Sequence, residues 1–339
     1  MNAPERVFAG RGMVMLLSIA IGLALLVAGG EALVRGAVAL ASRLGVSPLL
    51  IGLTVVGFGT STPELVTSLQ AAFSGSPGIA VGNVVGSNIA NILLILGIGA
   101  LLMPLAVGRG AFRRDGTVLV LSTLAAAAIV LTGALGRPAG LVLVAGLAGY
   151  LMWAYLAERQ PGPVAVSSTG GATIGVEPID SAGVPEVPAM PLARALIYAL
   201  GGIAVTVLGA RLLVGGASEL AGSLGVSDAV IGLTVVAVGT SLPELVTAIV
   251  ASIRRQPDVA FGNVVGSNIY NVLGILGITA LVHPIPVPDR IADLDVWVML
   301  GATGALLAVA ISGWRITRVE GGALLAAYVA YTGWLALGA

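Results

Sequence analysis

IGLTVVGFGTSTPELVTSLQAAFSGSPGIAVGNVVGSNIANILLILG, residues 51–97, returns without a gap 180 positions later as IGLTVVAVGTSLPELVTAIVASIRRQPDVAFGNVVGSNIYNVLGILG, residues 231–277, with 30 of 47 positions identical. The register continues outward: Leu44-Gly45-Val46-Ser47 falls on Leu224-Gly225-Val226-Ser227, Pro104 on Pro284 and Asp115 on Asp295. The chain is therefore two copies of one unit. Apolar runs bounded by Gly, Pro and charge predict spans at 13–41, 47–73, 79–103, 117–134 and 138–157, and again at 193–222, 227–253, 259–282, 294–312 and 320–338. Five spans per copy is an odd number, so the second copy enters the bilayer the opposite way up. Such inverted repeats let a transporter hold one site near the midplane and face either side with nearly equal energy.

Composition agrees with a bilayer. Of 339 residues 57% are hydrophobic and 9% charged, and the mean hydropathy is +1.05, beyond the roughly 45–50% apolar content of soluble domains. Only helices and closed barrels satisfy their backbone in lipid, and strand-like alternation is absent. The expected fold is an all-α membrane protein of ten transmembrane helices: a first five-helix repeat at 1–157, a Pro/Gly/Ser-rich linker at 158–191 and a second repeat at 192–339. Met1 to Arg11 is short and polar and leads into the first span.

All 16 basic residues are arginine. With the N-terminus outside, Arg43, Arg109, Arg113, Arg114, Arg159, Arg194, Arg254, Arg255, Arg315 and Arg318 face the cytoplasm, against Arg6, Arg11, Arg137 and Arg290 outside; Arg35 and Arg211 lie within helices. The positive-inside rule then places both termini outside and the linker in the cytoplasm of a cell's inner (plasma) membrane. A formal net charge of zero gives no footprint for nucleic acid, and the absence of cysteine excludes disulfides and thiolate metal sites. The single histidine, His283, ends an apolar run beside Pro284 and reads as interfacial. No histidine pair, cysteine or triad supports an intramembrane enzyme, and no obligate protein partner is evident.

Carboxylates in mid-span cost about 2.5–3.5 kcal/mol each even on lenient scales. Glu64 and Glu244 occupy equivalent mid-span positions. One such residue could be a protonated core group; a repeated pair inside identical polar signatures points to a cation. On a helix, Gly57, Thr60, Ser61 and Glu64 share a face, as do Ala237, Thr240, Ser241 and Glu244. Pro63 and Pro243 strain those spans and free the carbonyls of Gly59 and Gly239. In the next span Ser87 and Asn91 are i, i+4 neighbours, as are Ser267 and Asn271. Gly82 with Gly86, and Gly262 with Gly266, allow close helix approach. Asn83, Asn88, Asn263 and Asn268 read as helix–helix hydrogen-bonding residues, and Asp115 and Asp295 as helix-start caps. Together the halves offer two carboxylates, hydroxyls, amide oxygens and carbonyls without sulfur or imidazole, an all-oxygen set of the kind hard cations such as calcium take. Bare carboxylates at the midplane are costly, so the two access states should interconvert mainly when loaded.

GTSTPELVTS and GTSLPELVTA, with GNVVGSNIAN and GNVVGSNIYN, closely resemble the paired alpha repeats of the calcium/cation antiporter superfamily, especially prokaryotic sodium/calcium exchangers, over nearly the whole chain. The resemblance implies ten helices with the N-terminus outside and an ion cluster between the second, third, seventh and eighth. Its ligand positions map onto Gly57, Thr60, Ser61, Glu64, Ser87 and Asn91, and onto Ala237, Thr240, Ser241, Glu244, Ser267 and Asn271; the first helix of each half looks like the family's sliding, gating pair. No cofactor is implied: calcium and sodium are the cargo. Some prokaryotic relatives carry an aspartate where this chain has Asn91 or Asn271. The expected activity is calcium exchange for sodium by alternating access. The alternatives are proton/calcium exchange, potassium-dependent exchange and, from another class, a passive cation channel.

Overall fold

The computed structural model describes residues 3–75, 77–158, 190–223 and 237–338. The expected linker falls almost entirely outside them, as does the first part of the expected span 227–253. The described residues form α1 (Ala3–Leu44), α2 (Pro48–Thr60), α3 (Thr62–Phe73), α4 (Pro77–Leu102), α5 (Arg109–Leu131), α6 (Arg137–Glu158), α7 (Leu192–Ser223), α8 (Ala237–Thr240), α9 (Leu242–Ile253), α10 (Pro257–Val282), α11 (Ile291–Gly313) and α12 (Arg318–Gly338). Seven of these helices are long and apolar enough to cross a membrane, and an eighth span results when the bent pair α2 and α3 counts as one. The fold is all-helical apart from four two-residue strands.

α4 and α10 are the most deeply buried spans. Their side chains Val81, Val84, Ile89, Val264, Val265 and Ile269 are almost fully enclosed. Around them the outward faces carry bare apolar side chains, among them Leu17, Val27, Leu141, Val142 and Trp153, which in a bilayer meet lipid.

α1 and α7 run antiparallel with glycines every seventh residue, at 22, 29 and 36 on one and 202, 209 and 216 on the other. A period of seven keeps one stripe facing the partner along a left-handed crossing. A Cβ built on Gly36 would stand 2.3 Å from the backbone nitrogen of Ala199, and one on Gly202 2.4 Å from that of Leu33. At the edge of this pair Glu31 of α1 is ion-paired with Arg35 and with Arg254, just beyond α9.

The loops tie the halves to each other. β1 (Leu105–Ala106), after α4, pairs antiparallel with β4 (Arg315–Ile316), after α11; β2 (Ala134–Leu135), after α5, pairs with β3 (Ile285–Pro286), after α10. Each ladder therefore joins the segment after one half's third span to the segment after the other half's fourth.

Two sequence expectations change. The span 47–73 is not one straight helix: it bends by 42° between α2 and α3. Ser61 sits at the break with φ −82 and ψ 9, and Ser241 repeats it with φ −90 and ψ 9 between α8 and α9. Proline has no amide hydrogen and its ring crowds the carbonyl four residues back, so Pro63 and Pro243 are accommodated in the first turn of a new helix. Second, the repeated aspartates are not caps. Asp115 is buried against Arg114 at 2.6 Å and accepts a hydrogen bond from Tyr150 Oη at 3.2 Å, while Asp295 accepts one from Tyr331 Oη at 2.8 Å. In each half the carboxylate ties one helix to the next, α5 to α6 and α11 to α12. His283 is exposed and meets the Phe73 ring edge-on, with centroids 5.9 Å apart.

Candidate cation site

The two helix breaks lie beside the two central helices. Glu64 stands in the first turn of α3 and Glu244 in the first turn of α9, and each is only 1% exposed. Each carboxylate is held by the serine at the other half's break. Ser61 Oγ donates to Glu244 Oε1 at 2.7 Å, and Ser241 Oγ donates to Glu64 Oε1 at 3.1 Å. The hydroxyls of Ser241 and Ser87 are 3.3 Å apart. Residues from the two halves of the chain thus form one reciprocal network around two acids.

Asparagines fix the acid-bearing turns. Asn83 Nδ2 donates to the Glu64 carbonyl at 3.0 Å, and Asn263 Nδ2 to the Glu244 carbonyl at 3.2 Å. Thr60 Oγ1 reaches Val56 O at 3.0 Å and Asn263 Oδ1 at 3.2 Å, and Ser267 Oγ donates to Gly57 O at 3.3 Å. The helices themselves widen at the site. In α4 and α10 π-helical winding begins at Asn91 and at Asn271, the same position of each repeat. Such single-turn insertions loosen the i−4 ladder and are frequent at functional sites.

What remains unpaired is the informative part. Seven buried polar atoms have no hydrogen-bond partner among the described residues; besides Ser252 Oγ, Asn268 Oδ1 and Thr279 Oγ1 they are Glu64 Oε2, Glu244 Oε2, Asn91 Oδ1 and Asn271 Oδ1. Buried polar atoms are normally satisfied, and each exception calls for an explanation. The last four are all acceptors, they form two repeat-related pairs, and among the described residues no basic side chain is paired with either acid. An orphaned set made only of lone pairs suits a positively charged guest.

Of the twelve expected positions, Ser61, Glu64, Ser87, Ser241 and Glu244 meet directly in the network. Gly57 joins through the Ser61 amide, Thr60 through Asn263 and Ser267 through Gly57, whereas Asn271 is bonded to Asn88, outside the network, and Asn91 lies one turn along α4 from Ser87. Thr240 ends α8, half-buried; the side chain at Ala237 lies outside the described residues. The partnerships between halves are not readable from motif spacing, which places residues on a face without saying which face meets which. The GxxxG reading is supported at Gly262 and Gly266, where an added Cβ would come within 2.7 Å of Leu49 O and 2.3 Å of Leu53 O.

The family model described as sodium/calcium exchanger protein matches residues 14–156 and 194–337. The chain belongs to the sodium/calcium exchanger family. The membership implied by the four motifs is therefore borne out, and the chain is a multi-pass cation antiporter of an exchanger family. It is 36% identical to the sodium/calcium exchanger MaX1 of Methanosarcina acetivorans over 341 residues, covering 93% of this chain and 96% of that one. It is also 36% identical to the inner membrane protein YrbG of Escherichia coli over 289 residues, covering 84% and 86%. A solved structure of the sodium-calcium exchanger NCX_Mj, soaked with zero sodium and calcium, superposes with a TM-score of 0.79 at 31% identity over 95% of this chain and 99% of that one. Other crystals of the same exchanger were soaked with sodium together with calcium or strontium.

Proposed function

We propose that this exchanger moves calcium against sodium across the inner membrane by alternating access, with the cations held between the two helix breaks. The observation that carries the reading is the set of four unpaired acceptor oxygens on Glu64, Glu244, Asn91 and Asn271. The ligand set is completed by Gly57, Thr60, Ser61 and Ser87 and by their counterparts Ala237, Thr240, Ser241 and Ser267. Two carboxylates carry a charge of −2, which one calcium or two or more sodium ions offset. Oxygen-only ligands of this kind suit calcium's flexible coordination.

In this reading the chain has ten spans, as repeats 1–157 and 192–339 around a cytoplasmic linker at 158–191, with both termini outside. The ladders support it. Joining third-span ends to fourth-span ends puts corresponding loops of the two halves on opposite faces, as an inverted insertion requires. The names of MaX1 and NCX_Mj support sodium and calcium as the exchanged pair, and that of YrbG supports the inner membrane.

Reconstituted vesicles loaded with sodium are expected to take up calcium only while the outward sodium gradient lasts, with a net current. Uptake driven by a pH gradient without sodium would assign the counter-ion role to protons, and uptake that needs no counter-ion would assign a channel; either overturns the reading.

A further inference from the structure

Residues 82–89 and 262–269 are the same eight residues, GNVVGSNI, yet their two buried asparagines do different things. Asn88 reaches across to the other half. Its Nδ2 donates to the Asn268 carbonyl at 3.3 Å and its Oδ1 accepts from Asn271 Nδ2 at 3.0 Å. Asn268 folds back on its own helix, donating to Val264 O at 2.7 Å, and its Oδ1 has no partner. The bond that symmetry would pair with Asn271–Asn88, from Asn91 to Asn268, is missing, and Asn91 Oδ1 is unpaired as well.

Identical local sequences can adopt identical local arrangements. The crossed form of Asn88 is therefore open to Asn268, and the folded-back form of Asn268 is open to Asn88, which would donate to Val84 O. In this structure only one of them crosses: Asn88 reaches the Asn268 carbonyl, while Asn268 donates to Val264 O instead of reaching the Asn88 carbonyl. What results is a two-position element between the halves, beside the asparagines at 91 and 271. An element with two discrete arrangements is the physical requirement for coupling a site to a global change.

We infer that Asn88 and Asn268 exchange roles when the protein reverses its opening, so that Asn271 is held by Asn88 in one access state and Asn91 by Asn268 in the other. The pair are positioning residues: they orient, by turns, the amide oxygen that each half presents to the cation. The inference rests on the alternating-access reading above. The surroundings differ at several positions of the repeat, and one difference touches the asparagine itself. Met299 Sδ lies 3.9 Å from Asn88 Nδ2, whereas Leu119 stands at the repeat position of Met299 and offers no acceptor.

The test compares Asn88→Ala, Asn268→Ala and the double variant. Each alanine removes one net cross-half hydrogen bond from one state only, so the ratio of access states shifts about three- to tenfold, in opposite directions for the two single variants, and returns near the parental value in the double variant. The chain has no cysteine, so a single Thr54→Cys reports directly. Thr54 is half-buried on α2, about two turns before the break at Ser61, and its hydroxyl donates to Leu50 O at 2.7 Å. Its labelling rate by a water-soluble maleimide should rise in one variant and fall in the other, and the ratio of half-saturating calcium at the two membrane faces should move likewise. Shifts in the same direction, or none, overturn the inference. Asn→Ser variants give the same comparison with a smaller void should the alanine variants not fold. Absence of sodium-dependent calcium uptake in the parent protein would instead defeat the transport reading, and labelling alone would then judge the asparagines.

Discussion

Glu64→Gln, and separately Glu244→Gln, is expected to abolish calcium exchange while leaving the protein folded. Glutamine matches glutamate in shape and keeps an acceptor for the Ser241 or Ser61 hydroxyl, so the reciprocal bonds across the halves survive. Two things are lost. The site charge falls from −2 to −1, and an amide donor enters a cluster whose unpaired atoms are all acceptors. A unit charge about 4 Å from a cation is worth about 4 kcal/mol at an effective dielectric of 20, so calcium affinity should fall by about a thousandfold or more. Thermal stability in detergent without calcium should not fall, because an unpaired carboxylate that is only 1% exposed is itself a burden on the fold. The measurements are initial calcium uptake in vesicles and the apo Tm. Exchange within about tenfold of the parent in either variant would remove that carboxylate from the site; loss of exchange with a lowered Tm would mark it as structural.

Much of this site is legible in the amino-acid sequence. An ungapped repeat that keeps Glu64 and Glu244 inside the shared pattern GTSxPELVT marks the acids as candidates, because a carboxylate in an apolar span has few other reasons to recur. The Ser/Thr positions follow from helical spacing. Three features do not follow, and each for a reason. The break at Ser61 changes direction by 42°, which proline permits without dictating where the turn falls. The exchange of partners, Ser61 with Glu244 and Ser241 with Glu64, is a fact of packing between halves that no local pattern carries. Asp115 and Asp295 read as caps because of their place in the chain, yet tertiary contacts with Tyr150 and Tyr331 decide their use. The seven-residue glycine rhythm of α1 and α7 is present in the sequence, at 22, 29, 36 and 202, 209, 216, but is easily lost among 49 glycines.

The unequal fit of the two helix breaks to their neighbours also bears on mechanism. Ser241 contacts both Glu64 and Ser87, whereas Ser267, the counterpart of Ser87, turns to the Gly57 carbonyl. A site built from equivalent residues is thus held unequally by its two halves. An inverted repeat can sit in one of two arrangements of nearly equal energy, and the unequal holding of equivalent residues is what one such arrangement would show.

Gly266→Ala is expected to be among the most damaging added methyls at the described glycines. Its Cβ would stand 2.3 Å from the Leu53 carbonyl oxygen, 2.6 Å from the Leu53 Cα and 2.7 Å from its carbonyl carbon. All three are backbone atoms of α2, so no side-chain rotation relieves the clash and the helices must separate by about 1 Å to reach ordinary contact distance. Overpacking of this kind costs about 1–3 kcal/mol, against which alanine's better helix propensity returns at most about 1 kcal/mol. The functional loss should exceed the loss of stability. α2 carries Gly57, whose carbonyl accepts from Ser267 next to the mutated residue, and leads into the break at Ser61 that holds Glu244. Moving it by an ångström pulls one half's ligands off the other's, a displacement that costs about a hundredfold where geometry must be exact to within tenths of an ångström. Gly304→Ala, on the exposed face of α11 with open space around its Cβ position, is the control and should keep the parental Tm and calcium uptake. If Gly266→Ala did the same, the tight crossing of α2 over α10 would not be what aligns the two halves.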